Sequence, residues 1–316
     1  MVTLYSDRRM LDHVPKQGHP ERPERLQMVL RQLERTGQAG RCGIGTVRPA
    51  TDSELLRVHT QGYLDSVSKW EEQGGGQIEA DTWMSAGTTL AARLAAGSAV
   101  EAVHGIVNGG DPRGLCVVRP PGHHARPDRP MGFCLYANVA VAAAEALEGL
   151  GLSRILIVDW DVHHGNGTQE IFERDPRVGF LSIHRWPFYP GTGAADETGT
   201  GPGLGMTRNV PLPYGISRAE YLAAFRASLS EMADRTRPEL VILSAGFDAH
   251  AEDPVGDLGL ETEDFDAMTR DVLQVAETWS QGRLLSVLEG GYNVPILAGC
   301  VSAHLDALGV PIKADR

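Results

Sequence analysis

Cysteine and lysine are both scarce in this chain of 316 residues. The four cysteines, Cys42, Cys116, Cys134 and Cys300, lie far apart with no CxxC pair, so neither a disulfide framework nor a thiolate zinc site is implied and the thiols are read as reduced. The only lysines are Lys16, Lys69 and Lys313, none inside an apolar strand-like run, which argues against a buried Schiff-base lysine. The glycine patterns of phosphate and dinucleotide loops, GxxxxGK and GxGxxG, are absent, as is the helical HExxH of thermolysin-type proteases. Basic residues are outnumbered 29 to 41, a net charge of −12. That balance argues against a nucleic-acid partner held on a basic face and makes any charged partner cationic. The first residues, MVTLYSDRRMLDH, lack the apolar core of a signal peptide, and no run approaches the roughly 18–20 apolar residues of a membrane span. A soluble, cytoplasmic protein with no membrane partner is expected.

What is present suits a loop-rich α/β protein: 42% hydrophobic residues, 37 glycines and 19 prolines. Short runs rich in β-branched residues at Val2–Tyr5, Leu115–Val118, Ile155–Trp160, Val178–His184, Leu240–Phe247 and Leu284–Leu288 read as strands, most of them buried on both faces. Helical periodicity fills the intervals at Glu21–Arg35, Asp52–Glu72, Ser85–Val107, Asn138–Leu150, Ser217–Thr236 and Thr262–Gln281. Alternation of this kind predicts a mostly parallel sheet covered on both sides. No Ser/Gly-rich or charged linker divides the chain, so residues 1–316 are expected to form a single domain. The Gly-rich stretch Gly191–Gly205 is the one long candidate loop of the second half, either a surface connection or a pocket wall.

The unusual polar residues follow the strands. Leu115–Val118 runs into RPPGHH, ending at His123 and His124, and Ile155–Val158 runs into DWDVHHGNG, which holds Asp159, Asp161, His163, His164 and Asn166. Leu240–Phe247 runs into Asp248 and His250, and Leu284–Leu288 into Glu289 and Tyr292. Four strands therefore deliver polar groups at their C-terminal ends, which in an open parallel sheet converge on one crevice. Asp161 and His163, two apart in an extended segment, point to one side and can grip an ion, and Asp248 offers a third ligand from a neighbouring strand end. Two carboxylates and an imidazole suit zinc or a harder divalent ion, and three protein ligands leave a position for water. An ion so held acidifies its water and polarises a carbonyl, the needs of an amide hydrolase. His123 and His124 are the source of a general base and acid, with Asp159 and Asn166 available to fix their tautomers: a carboxylate partner favours the charged ring, an amide the neutral one. Tyr292 offers a phenol to an oxyanion.

The strings RPPGHHA, DWDVHHGNGTQ, SAGFDAHAEDP and LEGGYN resemble the zinc-dependent histone deacetylase superfamily, and HPERPERL at His19–Leu26 together with Asn166 is similar to its class II and bacterial amidohydrolase branch. The resemblance spans roughly Tyr5 to Leu308. It implies the arginase–deacetylase fold, a single domain around a mostly parallel sheet of about eight strands. It implies Asp161, His163 and Asp248 as zinc ligands, His124 as general base and acid, His123 as an electrostatic helper paired with Asp159, and Tyr292 as the carbonyl-polarising phenol. Gly132, Phe133 and Tyr189 would wall a narrow acetyl-lysine channel, with tyrosine standing where the family usually has phenylalanine. A potassium ion is implied near Asp159, Asp161, His163, Ser182 and Ile183. The implied substrate is an acetylated lysine side chain of a protein or a small acetylated amine, and self-association is left open.

Three readings from different classes follow. The first is a zinc deacetylase, with acetylpolyamine amidohydrolase as its alternative. The second is an arginase-like dinuclear manganese hydrolase, disfavoured because Gly165 and His250 stand where a second ion needs carboxylates. The third is an inactive acetyl-lysine reader, which would be expected to have lost a ligand or Tyr292. A polyamine specialist would want a carboxylate at the mouth, and Val255 occupies that rim position after Asp253-Pro254, while Glu21, Glu24 and Asp257 offer such a charge from loops. His59, His104 and His304 are read as structural, His164 and His250 as support for the site, His13 and His19 as candidates for the pocket rim, Arg119 as a salt-bridge residue, and Asp253-Pro254 as a turn.

Overall fold

Runs such as Ile155–Val158 and Leu240–Leu243 are apolar on both faces, so they are stable only between two covering layers. The computed structural model describes residues 1–309. Its strands are β1 (Val2–Tyr5), β2 (Gly43–Ile44), β3 (Gly76–Gln77), β4 (Trp83–Met84), β5 (Arg113–Cys116), β6 (Ile155–Asp159), β7 (Val178–Arg185), β8 (Thr207–Leu212), β9 (Leu240–Ala245) and β10 (Leu284–Leu288). Eight of them form one sheet in the order β2-β1-β5-β10-β9-β6-β7-β8, every neighbouring pair parallel. β3 and β4 pair apart from it as a short antiparallel hairpin. The four strands whose ends carry the polar motifs, β5, β10, β9 and β6, are consecutive in this order. Their motifs are therefore neighbours in space although more than 100 residues of sequence separate the first from the last.

The helices are α1 (Pro23–Arg35), α2 (Asp52–Leu55), α3 (Gln61–Glu72), α4 (Thr88–Val107), α5 (Asn138–Ala144), α6 (Asn166–Phe172), α7 (Arg218–Thr236), α8 (Thr262–Trp279) and α9 (Val294–Gly309). α9 packs on both α1 and α8, α4 packs on α5 and β5, and α7 on β7 and β8. α1 starts with Pro23 in its first turn, where a missing N–H is harmless, and buries Leu26, Val29 and Leu33 along one stripe. α4 is long and apolar enough, by length and composition, to cross a membrane despite Arg93 and Glu101, contrary to the reading of the sequence; two-thirds of its apolar window is buried inside the protein.

Several elements depart from expectation for identifiable reasons. The strands expected to run to Val118, Trp160 and Phe247 stop at Cys116, Asp159 and Ala245, because the chain bends there to turn its polar groups into the crevice. Asp52–Glu72 is two helices: Thr51 caps α2 through a capping box with Glu54, and Thr60 accepts from the Tyr63 N–H to start α3. Asn138–Leu150 changes at Glu145 into a π-helical turn, Glu145–Gly149. The unforeseen β8 includes Pro211, tolerated because this edge strand pairs only with β7. The loop through Gly191–Gly205 is pinned by Glu197, whose carboxylate accepts from the Gly193 and Ala194 N–H groups, and Gly193 lies against His164 and His184.

Candidate active site

Asp159 is the last residue of β6, so Asp161 and His163 converge from a bend rather than from one face of an extended strand. The Asp161 N–H donates to Asp159 Oδ1 (3.1 Å) and the His163 N–H to Asp161 Oδ1 (3.0 Å), which holds the bend. His163 Nδ1 lies 3.0 Å from Asp161 Oδ1 and 3.1 Å from Asp248 Oδ2. All three residues are buried, and they form the one His/Cys/Asp/Glu group among the described residues whose ligand atoms gather within 4.8 Å. Asp248 Oδ1 is satisfied by the Val162 N–H (2.9 Å), but Oδ2 is buried and accepts no hydrogen bond. Two glycines keep space around these oxygens: a Cβ at Gly290 would sit 2.2 Å from Asp248 Oδ2 and 2.5 Å from Asp161 Oδ2, and one at Gly246 2.2 Å from Asp161 Oδ2. An orphaned buried carboxylate oxygen facing a second carboxylate and an imidazole, in a space cleared of side chains, fits a divalent cation.

His123 and His124 follow β5 with ring centroids 3.9 Å apart, yet their surroundings differ. Asp159 Oδ2 accepts from His123 Nδ1 (2.9 Å). Burial works against a charge on His123, but the Asp161 and Asp159 carboxylates outweigh it and hold its pKa up at about 10. His124 Nδ1 donates instead to the amide oxygen of Asn166 (2.7 Å), so its Nε2 carries the lone pair. Burial, and then the positive neighbours His123 and His163, push His124 well below the ordinary imidazole range. Two adjacent histidines are thus separated into a charged and a neutral ring, the division expected from a carboxylate and an amide partner.

Tyr292 is presented beyond β10 and is buried. The Asp253 carboxylate, read from sequence as part of a turn, fastens this loop: Oδ2 accepts from the Tyr292 (2.6 Å) and Asn293 (3.2 Å) N–H groups, while Oδ1 accepts from those of Val255 and Gly256. Arg25 lies over the Tyr292 ring at 4.9 Å and donates to the Gly291 and Glu289 carbonyls. Glu289, for which sequence reasoning found no role, is buried and accepts from the Gly122 (2.6 Å) and His123 (3.2 Å) N–H groups, tying the end of β10 to the histidine pair. Glu21 is buried against Arg119, Arg25 and His13, so it supplies no charge to the mouth, and Arg119 is the ion-pair residue expected.

Phe133 stands edge-on to Tyr292 at 5.7 Å, and Tyr189 stands edge-on to His124 at 5.2 Å, so these two rings flank the site. Gly132 has φ of +56°, and a Cβ there would lie 2.2 Å from the His124 ring, so only glycine passes. Val255 is half-buried. Asp159 is opposite Ser182 in the β6–β7 register, with Ile183 next along β7, and Ser182 Oγ pairs with His184. His164 is held by Thr192 and Gln169, and His250 accepts from the Glu252 N–H and faces Glu261; neither joins the ligand group. A Cβ at Gly165 would sit 2.2 Å from Asp159 Oδ2, leaving no room there for a further carboxylate. His59 and His304 are buried in hydrogen bonds to Arg126 and Ala137, and to Thr269 and Ser286; His104 is partly exposed and pairs with Glu145. His13 is bonded inside to Thr88 and Glu21, whereas His19 packs on Phe133 at the rim.

With this geometry in place, residues 19–308 match the histone deacetylase domain model. The chain is 41% identical over 311 residues to histone deacetylase 15 of Arabidopsis thaliana, a match covering 96% of this chain and 55% of that protein. It is 38% identical over 292 residues to the histone deacetylase-like amidohydrolase of Pseudomonas aeruginosa, covering 92% of this chain and 77% of that one. The chain thus spans about half the length of the Arabidopsis relative. The solved crystal structure of the HDA15 HD domain superposes with a TM-score of 0.92 at 40% identity, over 97% of this chain and 87% of that one. The central parallel sheet of eight strands flanked by helices is the arginase–deacetylase fold, and the chain belongs to the histone deacetylase family.

Proposed function

We propose that the chain, as one catalytic domain, removes acetyl groups from acetylated lysine side chains or related acetylated amines and releases acetate, using one zinc ion held by Asp161, His163 and Asp248. The observation that carries this reading is the orphaned Asp248 Oδ2 within a buried ligand group that shares its crevice with His124 and Tyr292. When bound, such an ion supplies an acidified water and a Lewis acid for a carbonyl oxygen. Every other task falls to side chains. Neutral His124 accepts the proton of the attacking water on Nε2 and passes it to the departing amine. His123, kept charged by Asp159, balances the negative charge that builds during the attack. The Tyr292 hydroxyl donates to the developing oxyanion, and because burial keeps its pKa well above the ordinary phenol value, it stays protonated to do so. Gly132, Phe133, Tyr189 and Val255 form the channel that excludes water around the acetamide. A potassium ion beside Asp159, Asp161, His163, Ser182 and Ile183 would stabilise the loop behind the ligands.

The lysine reading is preferred to a polyamine one because Val255 is apolar and Glu21 is committed to Arg119 and Arg25. The test is acetate release from an acetyl-lysine peptide, acetylputrescine and acetylspermidine, with and without chelator. Chelator-sensitive release, fastest from the peptide, supports the proposal; release from none of the three overturns it.

A further inference from the structure

The hairpin β3–β4 takes no part in the chemistry above, yet it is fastened to the channel wall at three points. Asp81 Oδ1 accepts from the Gly132 N–H (3.0 Å), Thr82 Oγ1 accepts from the Phe133 N–H (3.1 Å), and His19 Nε2 meets the Asp81 carbonyl (3.1 Å). Between this hairpin and the segment 16–20 lies a cavity of about 280 Å³, lined by Lys16, His19, Gln77, Asp81, Trp83 and Phe133. Phe133 divides the cavity from the channel: its ring is edge-on to Tyr292 at 5.7 Å and to His19 at 4.7 Å. Its φ of +68° is unusual for a bulky residue, and the two backbone bonds to the hairpin hold it there.

We propose that this cavity is a second subsite, which takes an aromatic side chain of the residue next to the acetylated lysine in a peptide substrate; the proposal rests on the deacetylase reading above. A single ring separates the two spaces, and adjacent residues of a peptide are about 3.8 Å apart at Cα, so a neighbouring side chain reaches across that partition. The volume lies just under the range of about 300–1,000 Å³ for sites enclosing whole small ligands, and suits one large side chain. His19, Trp83 and Phe133 offer ring faces and edges, and Asp81 Oδ1 accepts from the Gly132 N–H and the Thr82 hydroxyl. A cationic occupant would find the Trp83 face already covered by Lys16, which lies over that ring at 6.0 Å and makes no ion pair among the described residues. The tail of a polyamine, or an arginine beside the acetylated lysine, would meet that charge.

The experiment compares kcat/KM of the zinc-loaded chain for peptides in which acetyl-lysine is flanked by phenylalanine, alanine or arginine, and for a blocked acetyl-lysine amide with no flanking residue. Phenylalanine is expected to exceed alanine by about 3–10-fold, mainly through KM, with arginine lowest. Trp83→Ala brings the phenylalanine-to-alanine ratio close to one, each rate being taken relative to the blocked amide in the same variant. Lys16→Glu, at an exposed position, lifts the arginine peptide above the alanine one. A phenylalanine preference retained in Trp83→Ala, or an arginine peptide unmoved by Lys16→Glu, overturns the subsite. Equal turnover of all four substrates by the unaltered chain also overturns it, whereas turnover of none overturns the deacetylase reading instead.

Discussion

Gly290→Ala is a small substitution with a large expected effect. The glycine does not have a positive φ, so alanine brings no backbone strain and the whole effect is steric. Its Cβ would stand 2.2 Å from Asp248 Oδ2 and 2.5 Å from Asp161 Oδ2, where side-chain contacts closer than 3.0 Å essentially never occur. The two carboxylates must retreat by roughly 1 Å, and displacements of that size abolish productive site geometry. Asp161 Oδ2 also accepts from the Gly290 N–H (2.8 Å), so it cannot move without loosening that bond. Overpacking of this kind lowers stability by about 1–3 kcal/mol, which leaves the protein folded. Zinc affinity, measured by competition with a chromogenic chelator, is expected to fall by at least about 100-fold, since loss of mere supporting contacts already lowers it 10–100-fold. Gly299→Ala is the control: nothing lies within 4 Å of its Cβ, and inside α9 it is expected to stabilise by up to about 1 kcal/mol with zinc affinity unchanged. A Gly290→Ala protein that binds zinc as tightly as the parent would refute the assignment of the ligand group.

Other outcomes follow from single contacts. Tyr292→Phe should lower kcat by about 10²–10³ while zinc affinity stays constant; unchanged turnover would remove the phenol from the reaction. Glu21→Ala strands the buried Arg119 guanidinium and is expected to cost about 3–5 kcal/mol in denaturant unfolding, and a loss below 1 kcal/mol would contradict the buried network. Burial holds the pKa of His59 at about 4 and that of His304 at about 3 in the folded chain. Below the unfolded value of about 6.5, the unfolded chain binds protons that the folded one refuses. The share of stability that these two histidines control is therefore complete above pH 7 and is lost as the pH falls from about 6.5 towards 4, by about 1.4 kcal/mol per pH unit for each histidine. His304→Gln should flatten that slope in unfolding scans, and an unchanged slope would exclude His304 as a source.

The candidate site is legible in the sequence because the chemistry proposed for it needs rare residues at the ends of recognisable strands. His123, Asp161, Asp248 and Tyr292 are each preceded by an apolar run, and the sheet order places those four runs side by side. The residues that hold the site together left no such trace. Glu289 and Asp253 act by accepting backbone N–H groups from segments distant in sequence, and a carboxylate used in that way has no characteristic spacing. Arg25 reads as one more charge on an amphipathic helix until its guanidinium is seen under Gly291 and over Tyr292. The β3–β4 hairpin leaves no signal because two-residue strands carry no periodicity, although its Asp81 and Thr82 hold Gly132 and Phe133, the proposed channel wall. The sequence pattern predicts extended chain at Asp161 and His163 where the structure has a bend, since an i, i+2 pair meets in either conformation.

Zinc titration of the chelator-treated protein, with acetate release from an acetyl-lysine peptide as the readout, tests the central claim most directly. Activity absent without metal, restored at one zinc per chain, and not restored in Asp248→Asn at the same zinc concentration is the expected result. Acetate release that survives removal of the metal, or that needs two ions per chain, would contradict it.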